Sequence, residues 1–160
     1  IMDGFLPPAE VDDATWDRVL ALNLTAVMRL TRAVLPVMIA AGRGAVVNVA
    51  SEAALRSSAA GAAYTAAKHA VVGYTGNVAF FHGPQGVRAN VVAPGPAITN
   101  IEGGMRSEHA AHRAGPVMQA TMPPPAQPGA VAAAIAWLLS DDSANVNGAV
   151  LPSDGGWSRA

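Results

Sequence analysis

Tyr64 and Lys68 are the residues whose types and spacing most directly suggest chemistry, because the only lysine of the chain lies four residues after one of its two tyrosines. At that spacing on a predicted helix, their side chains share one face. A phenol with an ordinary pKa of about 10 is a poor acid or base at neutral pH. A cation one turn away favours the phenolate and lowers that pKa, so the pair could exchange a proton with a carbonyl or alcohol oxygen. Taken alone, the spacing is equally consistent with a helix-face tyrosine beside a solvated lysine.

The elements that must position this pair alternate between helix and strand. Helical periodicity begins near Ala14, after the N-cap candidates Asp12 and Asp13, and Pro36 is expected to end or kink this helix late. Two short β-branched runs have the near-continuous apolar character of strands that are buried on both faces. This alternation predicts a parallel α/β sheet. The predicted helices cover about 14–39, 62–81, 102–113 and 129–139, and the predicted strands cover 45–50, 87–93 and 149–151.

The segment 97–128 is predicted to be mostly loop, because it contains Gly-Gly, Gly-Pro and Pro-Pro-Pro sequences. Its one predicted helix, 102–113, is expected to be short and mobile. A connection of this length inside a compact domain is usually functional. We therefore expect a lid over a binding site.

Three parallel strands make a thin sheet, and the strand 45–50 is too apolar to lie bare at an edge. Its missing neighbour is expected to precede Ile1. No G-x-G-x-x-G phosphate loop follows a strand in this chain. Residues 1–160 are therefore predicted to form a single partial domain, the C-terminal part of a Rossmann-like, doubly wound α/β fold with about three strands and flanking helices.

Two polar residues join the Tyr-Lys pair and lead to a family resemblance. Ser51 follows a buried strand, where doubly wound folds place their ligand crevice, and it precedes Tyr64 by thirteen residues. Asn23 lies mid-helix among apolar neighbours. The order, spacing and identity of five motifs resemble the short-chain dehydrogenase/reductase family from about Trp16 to Gly156. These motifs are N-L-T-A-V-M, V-V-N-V-A-S, Y-T-A-A-K, V-R-A-N-V-V-A-P-G and S-D-G-G.

The resemblance implies a catalytic set of four residues. Tyr64 would be the general acid in carbonyl reduction and the base in alcohol oxidation. Lys68 would hydrogen-bond the nicotinamide ribose and lower the pKa of the tyrosine. Ser51 would donate to the substrate oxygen, and Asn23 would hold a water that links Lys68 to solvent.

The resemblance also implies a nicotinamide cofactor, either NAD or NADP. The turn at Pro94 and Gly95 would let the backbone approach the nicotinamide, and Ala97 and Thr99 would contact its carboxamide or a nearby phosphate. The residue that selects NAD or NADP lies, in the family, before the point where this chain begins. The sequence Ala50-Ser51-Glu52 stands where the family usually has a Ser-Ser pair. The favoured interpretation of Glu52 is a solvated loop glutamate, with a pocket-facing side chain as the alternative.

Composition excludes several other classes of function. A net charge of −1 without a basic block predicts no nucleic-acid partner, and zero cysteines exclude thiol chemistry. No uninterrupted apolar run reaches the roughly 18 residues of a membrane span, so a cytoplasmic protein is expected. Glu108, His109 and His112 lack a further metal ligand at a fixed spacing, so no metal is expected.

Two functions remain open at this point. The leading hypothesis is an NAD(P)-dependent oxidoreductase that interconverts a small-molecule carbonyl and alcohol by hydride transfer, in a homo-oligomer that is a tetramer or dimer, with the tetramer preferred. The alternative is a truncated domain without catalysis that serves as an assembly or binding module. A serine hydrolase using Ser51 is excluded because no G-x-S-x-G elbow surrounds it.

Overall fold

The computed structural model describes residues 1–101 and 103–160, and three parallel strands form the sheet of that part of the chain. Their order is β1 (Gly44–Val49), β2 (Val87–Pro94) and β3 (Val150–Ser153). Asn48 pairs in register with Val91, and Val92 pairs with Leu151. The predicted Rossmann-like α/β architecture is confirmed, and the predicted strands agree with the observed ones to within about two residues at each end.

The described residues form five α-helices beside the sheet, and two of the predicted helices differ from what the structure shows. The helix predicted over 102–113 begins later, because the Ser107 side chain caps it by accepting from the backbone N–H of Ala110 at 3.0 Å. It also continues to Thr121, so the segment 97–128 contains a longer helix and less loop than predicted. Residue 102 lies outside the described residues. Pro36 does not end the first long helix, which continues through it to Ala40. The helices are α1 (Asp13–Leu20), α2 (Ala26–Ala40), α3 (Ala62–His82), α4 (Glu108–Thr121) and α5 (Pro128–Leu139).

Helices cover both faces of the sheet, as a doubly wound fold requires. On one face of β2, Val87 and Ala89 pack with residues of α2 and α3 in one hydrophobic cluster. On the opposite face, Arg88 donates to the carbonyl oxygens of Leu138 and Ser140, both at 3.0 Å, where α5 ends. Successive side chains of β2 therefore contact helices on opposite faces of the sheet, because side chains alternate along a strand.

The buried side of α3 is formed by small and β-branched residues. Ala63, Ala67 and Val71 are fully buried along one side of the helix. Thr75 continues this side, and its hydroxyl accepts a hydrogen bond at 2.9 Å from the side-chain amide of Asn48 in β1. This contact fixes the register between the helix and the strand that carry the candidate site.

The helical stretch 13–40 is, among the described residues, long and apolar enough by length and composition to cross a membrane. That evidence is weak, because the helices of many globular domains pass the same test. Val19, Thr31 and Leu35 on this stretch are buried against the rest of the chain. Its outward side carries exposed apolar residues, namely Leu22, Leu30, Val34 and Val37.

The turn before β2 gives a stability prediction. Gly86 has a φ of +85°, and a Cβ at this position would collide with the carbonyl oxygen of Gly42. We expect Gly86→Ala to lower the free energy of unfolding by about 1–3 kcal/mol, because backbone strain and a steric clash combine. Denaturant unfolding measures the change.

Gly76→Ala is the matched control for this prediction. Gly76 lies on the exposed side of α3, and a Cβ there would meet nothing within 4 Å. Its replacement should leave stability unchanged or raise it by up to about 1 kcal/mol through helix propensity. Equal stability of the two alanine variants would contradict the argument.

Candidate active site

Tyr64 and Lys68 lie in the first two turns of α3, on the side that faces the end of β1. Both side chains are buried, with exposed fractions of 6% and 9%. The Lys68 ammonium donates to the backbone oxygen of Val49 at 3.1 Å and lies 5.3 Å from the centroid of the Tyr64 ring. The pair is therefore neither solvated nor separated, in contrast to the alternative that spacing left open.

Ser51 follows β1 directly and borders the same space as Tyr64. Its hydroxyl oxygen accepts from the backbone N–H of Ala53 at 3.2 Å and so begins a short 3₁₀ turn. The Ser51 side chain also acts on the Tyr64 hydroxyl and lowers the pKa of that phenol. The two hydroxyl groups are therefore placed to contact one substrate oxygen together.

Asn23 sits in a π-helical turn, Ala21–Thr25, between α1 and α2. The wider turn is closed by the N–H of Ala26 donating to the carbonyl of Ala21, five residues back. The Asn23 side-chain amide donates to the carbonyl oxygens of Ile1 at 2.9 Å and Val19 at 3.1 Å. Such turns recur at functional sites, and the proton-relay role of Asn23 stays a prediction.

The electrostatics of the pair differ in one respect from expectation. Burial is the main effect on Tyr64 and raises its pKa, Ser51 lowers it, and the negative charge of Asp3 raises it further. Lys68 is not among the groups that lower it here. Burial also lowers the pKa of Lys68 to about 8, so the ammonium is mostly charged at neutral pH and loses its proton above pH 8.

All eight residues that the sequence singled out line one cavity of about 440 Å³. Gly95 is packed so closely that a Cβ there would lie 2.8 Å from the Cα of Asp154, which favours glycine at this position. Ala97 pairs with Ala126 in an isolated parallel bridge and so anchors the start of the predicted lid. The eight residues are Asn23, Ser51, Tyr64, Lys68, Pro94, Gly95, Ala97 and Thr99.

The rest of this cavity is lined mainly by apolar side chains from three parts of the chain. Met2 and Phe5 come from the N-terminal segment, Met118 from α4 and Trp157 from the C-terminal turn. A larger cavity of about 940 Å³ lies elsewhere on α4 and contains none of the eight residues. We assign the chemistry to the smaller cavity, because the hydroxyl, ammonium and amide groups converge there.

Sequence reasoning missed Asp3, a buried carboxylate beneath Tyr64. It accepts hydrogen bonds from the backbone N–H groups of Phe5 and Gly61, both at 3.1 Å, and of Tyr64 at 2.9 Å. A Cβ at Gly61 would lie 2.6 Å from the Asp3 oxygen. Asp3 therefore satisfies orphan donors at the start of α3 and fixes the helix turn that presents the tyrosine.

The structure shows that the favoured interpretation of Glu52 as a solvated loop glutamate was wrong. Its side chain is only 1% exposed, and it borders the cavity. Burial, followed by the neighbouring carboxyl of Asp154, raises the pKa of Glu52 to about 7, while Arg56 acts in the opposite direction. The residue after Ser51 is therefore part of the site's surroundings.

The chain matches a known family over almost its whole length. The family profile described as "Enoyl-(Acyl carrier protein) reductase" matches residues 4–158. A short-chain dehydrogenase/reductase from Talaromyces verruculosus, cdmF, is 41% identical over 99% of this chain and 65% of its own length. 3beta-Hydroxysteroid dehydrogenase 2 from Eggerthella lenta is 43% identical over 99% of this chain and 62% of its own length.

Solved structures agree with this match. Levodione reductase superimposes with a TM-score of 0.84 at 35% identity, covering 99% of this chain and 64% of that chain. A Beutenbergia cavernae protein described with bound NADP at low occupancy gives a TM-score of 0.82 at 33% identity, covering 96% and 61%. The chain belongs to the short-chain dehydrogenase/reductase family. It spans about 65% of the length of the first curated relatives that it matches.

The role of Asp3 gives a second prediction. In Asp3→Asn, an amide N–H replaces one carboxylate oxygen, so at least one buried backbone donor loses its acceptor. We expect the free energy of unfolding to fall by about 1–3 kcal/mol, measured by denaturant titration of the full-length protein. Asp142→Asn, at an exposed position, is the control and should change stability by less than about 0.5 kcal/mol. If the two variants were equally stable, Asp3 would not anchor α3.

Proposed function

We propose that this chain is the catalytic portion of an NAD(P)-dependent oxidoreductase that interconverts a carbonyl and an alcohol. The observation that carries the proposal is the convergence of Ser51, Tyr64 and Lys68 on one largely apolar cavity at the carboxyl ends of parallel strands. Membership of a family whose relatives are named dehydrogenases and reductases supports it. No observation favours the alternative of a non-catalytic assembly module.

The residues present fit a nicotinamide cofactor at one end of the cavity. Pro94, Gly95 and Ala97 supply backbone with little side-chain bulk there, and the Lys68 ammonium is a hydrogen-bond donor beside them. When bound, the cofactor would supply or accept the hydride. NADP bound to one structural neighbour supports NAD(P) as the class of cofactor.

Tyr64 is the group that transfers the proton. Because burial raises its pKa, the phenol is protonated in the chain and can donate to a substrate oxygen during carbonyl reduction. Ser51 donates a second hydrogen bond to the same oxygen and stabilises the developing charge. Lys68 would donate to the ribose of the cofactor, and Tyr64 and Ser51 act in reverse during alcohol oxidation.

The cavity lining supports a neutral, apolar substrate. Met2, Phe5, Met118, Met122 and Trp157 provide flexible thioethers and aromatic surface. Lys68 is the one cationic side chain among the described lining residues. The names of a steroid dehydrogenase and a levodione reductase among the similar proteins are consistent with this class.

The decisive test replaces the phenol. Tyr64→Phe keeps the ring and removes the proton donor, so we expect kcat of the full-length protein to fall by at least about 10²-fold. Binding of NAD(P)H, followed by nicotinamide fluorescence, should change less than about threefold, because the ring and Lys68 remain.

Tyr74→Phe is the matched control. Its hydroxyl makes one long contact of 3.4 Å with the carbonyl oxygen of Met28, away from the cavity. This variant should retain the parent's kcat. Substantial turnover by Tyr64→Phe would remove Tyr64 from the proposed role.

We also propose that the protein is a homo-oligomer, with a tetramer preferred. The outward side of α2 carries exposed Leu30 and Val37, and the end of α3 adds Phe80 and Phe81. Apolar side chains grouped in this way on helices suit a contact between copies.

Leu30→Arg tests this surface. The Leu30 side chain is 70% exposed in the single chain, so an arginine can be accommodated in the monomer but would place a charge in a contact between copies. We expect light scattering to show a mass reduced at least twofold relative to the parent, with an unchanged far-UV circular dichroism spectrum. A parent protein that is already monomeric would contradict the proposal.

A further inference from the structure

A buried carboxyl lies directly beside Ser51, and the proposed mechanism does not use it. Glu52 is 1% exposed, and neither of its oxygens accepts a hydrogen bond from a nitrogen or hydroxyl donor of the described residues. Arg56 Nε lies 3.3 Å from one oxygen as an ion pair. The remaining neighbour is the carboxyl of Asp154, within hydrogen-bonding reach. A buried carboxyl with these surroundings needs a proton or a strong partner to offset its desolvation.

Asp154 is the ionised member of this carboxyl pair. Its two oxygens accept from the backbone N–H groups of Gly156 at 3.0 Å and Ser158 at 2.8 Å. Although burial raises the pKa of Asp154, the hydrogen bonds from Ser158, Gly156 and Glu52 together lower it. The proton of the pair therefore resides on Glu52, which can donate it in a hydrogen bond to Asp154.

The turn that Asp154 holds carries Trp157 into the cavity wall. Trp157 is 5% exposed, and its indole N–H donates to the Thr121 hydroxyl at the end of α4 at 3.0 Å. Arg56 lies 4.6 Å from the centroid of the indole ring and donates to the Trp157 carbonyl at 2.8 Å. Three parts of the chain therefore meet around Glu52: the loop that follows β1 and begins at Ser51 (the Ser51 loop), the C-terminal turn 154–157, and α4.

We infer that Glu52 is a positioning residue, which in its protonated form hydrogen-bonds Asp154 and holds the turn 154–157 against the Ser51 loop, so that Trp157 forms one wall of the substrate cavity. Ionisation of Glu52 places two carboxylates side by side. The charged groups that face Glu52 are Arg56 on its own loop and Asp154 on the turn. Arg56 alone then offsets the repulsion, and the wall loosens.

The direction of the pH dependence follows from the raised pKa of Glu52. The folded protein keeps this proton up to about pH 7, whereas the unfolded chain loses it near the ordinary value of 4.5. Between those values the folded state binds more protons than the unfolded state. This group therefore makes the free energy of unfolding fall as pH rises from about 4.5 to about 7, with no further change above.

Thermal unfolding of the full-length protein tests the pair without requiring activity. Between pH 5 and pH 8, Tm of the parent should fall by at least about 3 °C more than Tm of Glu52→Gln, whose amide stays neutral and can still donate to Asp154. Glu10→Gln, at an exposed glutamate, should behave like the parent. Equal falls in the parent and Glu52→Gln would overturn the shared proton.

A second variant tests the same pair independently, in case Glu52→Gln does not fold. In Asp154→Asn, the amide can donate to an ionised Glu52, so the part of the raised pKa of Glu52 that comes from Asp154 should disappear while the part that comes from burial remains. This variant should also show the smaller fall in Tm between pH 5 and pH 8. A pH dependence as steep as the parent's in Asp154→Asn would contradict the pairing.

Hydrogen exchange and kinetics test the link to the cavity wall. Amide protection of residues 154–158, corrected for the intrinsic rate, should drop at least about threefold between pH 6 and pH 8.5 in the parent and stay constant in Glu52→Gln. The kinetic arm rests on the proposed function: KM of the parent should rise at least about threefold over that range while KM of Glu52→Gln stays level, with kcat changing alike in both.

The outcomes separate the two proposals. Constant protection, or a constant KM in an active parent, would overturn the wall role of Glu52. An inactive parent would refute the oxidoreductase proposal, and the unfolding and exchange results would still decide the role of Glu52.

Discussion

The close packing of α3 against α1, β2 and the turn Glu52–Ala54 determines where Tyr64 and Lys68 lie. Ala63, Ala67 and Val71 leave no measurable exposed surface, so the helix axis cannot shift without opening a void. Tyr64 and Lys68 occupy the neighbouring side of the same turns. Their distance from the end of β1 is therefore a consequence of how small the core-facing side chains are, rather than of any interaction between the two residues themselves.

The N-terminal segment adds a second constraint, because it contacts three parts of the site that are distant in sequence. The Ile1 carbonyl accepts from Asn23, the Asp3 carboxylate accepts from Tyr64, and the Gly4 carbonyl accepts from the backbone of Arg106 before α4. A short extended segment thus ties the first helix, the tyrosine helix and the entrance of the predicted lid together. Because backbone carbonyls supply two of these contacts, those two contacts depend on the path of the chain more than on which side chains the N-terminal segment carries.

Sequence alone predicted the α/β order and the residues around the cavity, because those signals are local: apolar runs, helical spacing and short motifs. It failed for Asp3 and Glu52, whose burial comes from partners 58 and 102 residues away in the chain (Gly61 and Asp154). Both ends of α4 were predicted too early, because the capping role of Ser107 was overlooked and the helix continues through Pro116 to Thr121. Spacing gave the presence of a cation near Tyr64 but not the burial of the phenol, which is the main effect on its pKa and raises it.

The π-helical turn between α1 and α2 limits the number of residues in this part of the chain more strictly than the identity of its exposed residues. One residue on a regular helix corresponds to a rotation of about 100°, so the extra residue in 21–25 sets the angular offset between the inward stripes of the two helices. Leu22 within the turn is half exposed and tolerant of replacement on steric grounds. Loss of any one residue there would rotate Asn23 or Val19 away from the core. Homologous chains are therefore expected to vary at the position of Leu22, to keep Asn23, and to show no insertion or deletion in this stretch.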